Sequence, residues 1–158
     1  MGVVSILAIM LLLLVAFAVV RHHLHPQEVV TVWFACAAVL ATAFDACTPR
    51  NSNYFKLSDE PHLFLVERIL EVVMIPVLLL LYLNLMLWIQ SRTGKVAATV
   101  GCYALLLGLE ALGAASQAFC YVQYQRWWSL ILWAVVMLMA TAIQKGIRGL
   151  LRREGVTI

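Results

Sequence analysis

The chain has 158 residues, of which 64% are hydrophobic and only 12% charged, against about 45–50% and about 25% in an ordinary soluble domain. A chain this short keeps too much surface to hide that apolar excess from water, so the surplus must face lipid. A net charge of +3 gives no argument for nucleic acid as a partner.

A spanning helix needs about 20 mostly apolar residues, and five stretches approach that. The first covers residues 2–20 and ends at Arg21, His22, His23 and Pro26. It has no positive leading region and exceeds the 7–15 apolar residues, roughly, of a secretory signal. It reads as a retained membrane helix. The second covers residues 29–46. Residues 47–62, CTPRNSNYFKLSDEPH, form the one sizeable polar loop, rich in turn formers.

The third stretch, residues 63–90, is too long for one perpendicular span. It carries Glu67, Arg68 and Glu71 near its start, where an interfacial turn is expected, and Pro76 inside it. Proline lacks an N–H and clashes with the preceding turn, so a kink is expected there. The fourth stretch covers residues 96–121 and the fifth 127–143. The spacing therefore predicts an all-α integral membrane bundle over residues 1–144. A basic amphipathic tail, residues 145–158, follows it.

Orientation follows from lysine and arginine counts. One side collects Arg21, Arg92, Lys95, Lys145, Arg148, Arg152 and Arg153; the other collects Arg50, Lys56 and Arg126, with Arg68 nearby. The richer side should be cytoplasmic, which puts the N-terminus outside and the C-terminus inside. Trp127 and Trp128 would then belong to the outer aromatic belt and Trp88 to the inner one. Lys145, Arg148, Arg152 and Arg153 would meet anionic headgroups, or serve only as a positive-inside anchor.

Small residues mark close helix contacts in lipid. Ala97, Gly101, Ala104, Gly108, Ala111 and Ala115 form one helical stripe. Tyr103, Glu110, Gln117 and Tyr124 lie on a roughly opposite face. That pattern predicts a central place for the fourth span. Thr31, Ala35, Ala38, Thr42 and Asp45 repeat the spacing in the second span. Plain bundle packing accounts for both stripes.

An ionisable residue inside a span is expensive and carries a functional hypothesis by default. At a rise of about 1.5 Å per residue, Asp45, Arg68 and Glu110 fall at similar depth in the outer half. Arg68 can then pair with Glu110 or Asp45. Glu67 and Glu71 join the same layer and His62 lies just above it. Four carboxylates against one guanidinium cannot all stay ionised there, so one must hold a proton or recruit a cation. Asp45, Glu67, Arg68, Glu71 and Glu110 are thus the candidate site, with Asn84, Gln117 and Tyr103 as supporting polar groups. A fixed structural network competes with this reading, because Arg68 and Glu71 are one turn apart and suited to a local pair.

Three histidines, His22, His23 and His25, stand beside Glu28. They are weak metal candidates, since Pro26 interrupts them and no helical spacing supports a site. Cys47 and Cys120 fall near the outer ends of their spans, where a disulfide is allowed. Cys36 and Cys102 read as small packing residues. No GxSxG, HExxH or glycine-rich phosphate loop occurs, and no cofactor is implied.

The polar landmarks resemble those of the CBO0543-like family of small multi-span membrane proteins from spore-forming bacteria. The resemblance covers roughly residues 40–145. It rests on Asp45 in AFDAC, on Tyr54-Phe55, on Pro76 followed by Leu83-Asn84, and on Glu110, Tyr121, Tyr124, Trp127, Trp128 and Ser129. The family often follows its Asn with an aromatic residue and Pro, whereas Leu85-Met86 stand here. The resemblance implies a five-helix protein of a bacterial plasma membrane and supplies no catalytic residue. The leading expectation is a structural or accessory membrane protein, with lipids, itself or another membrane protein as partners. The alternatives are a small transporter or channel subunit binding a proton or cation, and a lipid-modifying enzyme.

Overall fold

The computed structural model describes residues 2–20, 24–47, 55–57, 61–115, 119–121 and 126–154. Helix α1 runs Gly2–Val19 and α2 Pro26–Cys47. Strand β1 is Phe55–Leu57. The third segment is α3, Pro61–Ile69, then a π-helical turn, Leu70–Met74, then α4, Ile75–Trp88. Helix α5 is Arg92–Ala115, strand β2 is Phe119–Tyr121 and α6 is Arg126–Arg153. The two strands pair antiparallel, with Lys56 opposite Cys120.

Four helical stretches are long and apolar enough to cross a membrane: Pro26–Ala43, Phe64–Trp88, Arg92–Ala115 and Trp127–Arg153. Val4–Val19 is a shorter apolar helix. The fourth apolar stretch of the sequence is thus divided. Its helix stops at Ala115, and Phe119–Tyr121 turn into the ladder with β1. Aromatic residues at 119 and 121 suit a strand as well as a span, and the apolar count alone does not separate the two.

The central element is the third segment and not α5. In the apolar 18-residue window of Phe64–Trp88, 67% of residues are buried, against 22% in that of Arg92–Ala115. Every residue from Met74 to Leu80 is buried. A helix that is hydrophobic all round belongs in a core, and α4 has no polar residue before Tyr82. Helices α1, α2 and α5 pack against it, and α6 lies on α2 and α5.

The small-residue stripes face away from these contacts. Ala97, Gly101, Ala104, Gly108, Ala111 and Ala115 are all exposed, and α5 buries Cys102, Leu106, Leu109 and Gly113 instead. In α2 the buried face is Glu28, Val32, Cys36 and Leu40, while Thr31, Ala38 and Thr42 are exposed. Small residues permit close approach without compelling it. Dispersion contact between larger side chains decides where lipid is as apolar as protein.

A π-turn, Leu70–Met74, stands just before Pro76, where the sequence leads one to expect a kink. Pro76 has no N–H to give the carbonyl of Val72, four residues back. The Trp33 indole of α2 donates to that carbonyl at 2.8 Å. Satisfying a freed carbonyl from a neighbouring helix is how membrane bundles tolerate proline. Trp33→Phe keeps the ring and removes the donor. It is expected to lower stability by about 1 kcal/mol, read from denaturant unfolding in micelles.

The turn between α4 and α5 is tight. Ile89 leaves α4 in an extended conformation, and Ser91 caps α5 by accepting from the Gly94 N–H at 3.2 Å. A Cβ on Gly94 would stand 2.6 Å from Ser91 Oγ and 2.7 Å from Ile89 Cγ2. Glycine is required there by this close approach.

Candidate functional site

Glu67 and Glu71 stand one turn apart on the central segment, at 4% and 1% exposure. Together with Glu110 of α5 and Trp133 of α6 they line one small cavity of about 20 Å³, whose apolar lining is Leu70, Ile75 and Leu109. Room for one water needs roughly 10–15 Å³, so the cavity is single-molecule in scale. The sequence placed these three carboxylates in one layer, and here they border one space.

Arg68 places Nη1 2.8 Å from Glu71 Oε2. Its guanidinium also stands 5.3 Å from the centre of the Phe64 ring, within cation–π range. Glu110 is gripped by α6: Ser129 Oγ donates to Oε1 at 2.5 Å, and Trp133 Nε1 donates to Oε2 at 2.6 Å. Ser129 and Trp133 are four residues apart and therefore share a helix face. That spacing was visible in the sequence, but nothing in it assigned the pair to Glu110. Two turns earlier on α5, Tyr103 donates its hydroxyl to the Leu130 carbonyl at 2.8 Å. The polar face of α5 thus meets α6.

The side chains of Asp45, His62 and Cys47 lie outside the described residues, as do His22, His23 and Gln117 and the side chain of Cys120. Asn84 is buried at 2% exposure, away from the carboxylates, in a groove between α1, α4 and α5. Cys36 and Cys102 are buried free thiols.

At the opposite end of the bundle, His25 does a helix cap's work. Its backbone N–H donates to Glu28 Oε2 at 2.9 Å, and its Nδ1 accepts from the Gln27 N–H at 3.4 Å. That is the reciprocal geometry of a capping box. Glu28 is fully buried and also takes Arg148 from α6, with Nε 2.9 Å from Oε1 and Nη2 3.4 Å from Oε2. Arg148 is therefore not a lipid-facing cation, as the tail's pattern suggests. Its side chain is 18% exposed and turned inward, because a buried carboxylate needs a partner more than a headgroup does. Lys145, Arg152 and Arg153 remain exposed. Helix α6 runs through residue 145 without a break.

Four helices of this length and apolarity define the class: they are compatible with a membrane protein. No family model, curated protein or solved structure matches the chain.

Proposed function

We propose that the chain is a five-span protein of the cell membrane, N-terminus outside and C-terminus cytoplasmic, with a structural or accessory role and no catalysis. Helix α1, apolar over Val4–Val19, would be the fifth span. The lysine and arginine distribution supports the orientation, and the family resemblance supports a bacterial plasma membrane. The observation that carries the role is Glu110. Both its oxygens accept bonds from one neighbouring helix, and the adjoining cavity holds about 20 Å³. A carboxylate held this closely fixes the register of α5 on α6; nothing about it suggests passage.

A second reading follows from the charge count. Three carboxylates and one arginine border this layer, and a low-dielectric site favours fewer net charges. In that reading the cavity takes one proton or small cation, and the protein is a subunit of a transporter or channel.

Reconstituted vesicles separate the two. The structural role predicts no proton or cation flux above protein-free vesicles, for the wild type and for Glu110→Gln alike. Flux in the wild type that Glu110→Gln removes would sink that role and establish the second.

A further inference from the structure

A groove of about 760 Å³ lies between α1, α4 and α5. Its volume lies in the usual range of roughly 300–1,000 Å³ for small-ligand sites. It is open along one side and its walls are almost wholly apolar, with Asn84 and Tyr82 as the polar exceptions. We propose that this groove holds one acyl chain of an anionic phospholipid, whose phosphate rests on Lys95 and Arg92.

Length argues for the chain. On α5 the lining runs from Ala98 to Leu105, and on α4 from Leu78 to Trp88. Ten residues of helix rise about 15 Å, half of a hydrocarbon core about 30 Å thick. The groove therefore has the depth of a single leaflet. A second protein helix would need a face running the whole span. An acyl chain needs only this half.

Charge argues for the headgroup. Ala98, Gly101, Cys102 and Leu105 follow the three-and-four spacing of one helix face. One turn toward the N-terminus of α5 the edge of that face reaches Lys95, and Arg92 opens the same end of the helix. Arg92 is exposed and Lys95 half-buried. Trp88, 67% exposed, lines the same mouth, and tryptophan favours the headgroup level. No acid lies between Glu71 and Glu110 in the sequence, so neither cation has a carboxylate on its own turn. Asn84 lies about 6 Å below Trp88 along α4, in reach of the glycerol ester region.

This inference rests on the membrane reading and not on the role of Glu110. The experiment takes the full chain in detergent, supplied with phosphatidylglycerol or with phosphatidylcholine of the same acyl chains. Lipid retained per protein is counted by native mass spectrometry. One phosphatidylglycerol should be held at least about tenfold more tightly than phosphatidylcholine. Arg92→Gln with Lys95→Gln should erase that preference. Gly101→Leu should remove the bound lipid, and the fold should survive it, because a Cβ at Gly101 meets nothing within 4 Å. Unaltered circular dichroism and melting would check the fold. Equal retention of the two lipids overturns the proposal. So does retention unchanged in Gly101→Leu, or a dimer in the wild type that Gly101→Leu dissociates. Glycerol phosphate without chains should not compete; if it displaces the lipid fully, the groove is not the binding element.

Discussion

Arg148→Ala is expected to destabilise the folded chain by about 3 kcal/mol, the low end for removing one partner of a buried ion pair. The cause is what remains. Glu28 is fully buried, and without Arg148 its charge keeps only the backbone N–H of His25 as a described donor. Glu28→Ala should cost a similar amount by removing the carboxylate that Arg148 turns inward to meet and, with it, the cap on His25. The double variant should cost clearly less than the sum, because each substitution removes the same bond. Arg148→Lys should recover only part of the loss, since an ammonium cannot repeat the two-nitrogen contact. Unfolding in mixed micelles, followed by circular dichroism, reads all four. Additive losses would mean that the contact contributes nothing of its own.

Glu110→Leu should have an effect of the same size for a different reason. It leaves Ser129 Oγ and Trp133 Nε1 as donors in the bundle interior, and Trp133 is 1% exposed. An orphaned buried donor costs about 1–3 kcal/mol, and the stranded Trp133 indole puts this variant at the upper end, about 3 kcal/mol. Ser129 can turn its hydroxyl toward a backbone carbonyl of its own helix, which limits the loss. Glu110→Gln keeps one acceptor oxygen and should cost about 1 kcal/mol. Trp133→Phe in the Glu110→Leu background should restore stability, because the stranded indole is then gone. If Glu110→Leu unfolds at the wild-type denaturant concentration, Glu110 does not hold α5 to α6.

Much of the bundle is legible in the chain. Of the five apolar stretches, four become helices long and apolar enough to cross a membrane, the length a bilayer's thickness requires. The layer containing Glu67, Glu71 and Glu110 follows from the helical rise alone. Which faces touch does not follow. The outward small stripe of α5 and the inward Cys102, Leu106 and Leu109 all lack polar groups, so a pattern of polar against apolar positions does not separate them. Long-range pairs were equally hidden. Glu28 and Arg148 are 120 residues apart, and both look like surface charges near a helix end. Nothing in the sequence joins Trp33 to the Val72 carbonyl that Pro76 leaves without its helical donor.

The bond from Trp33 to Val72 bears on the order in which the chain enters the bilayer. A helix with a bare carbonyl facing hydrocarbon is a poor traveller on its own. During synthesis α2 emerges first, so its indole already waits in the membrane when the proline-bearing segment arrives. Residues 61–88 presented to the insertion machinery without α2 upstream should partition less completely than with it, and Trp33→Phe should reproduce part of that deficit. Equal insertion in all three arrangements would show that the proline needs no chaperoning neighbour.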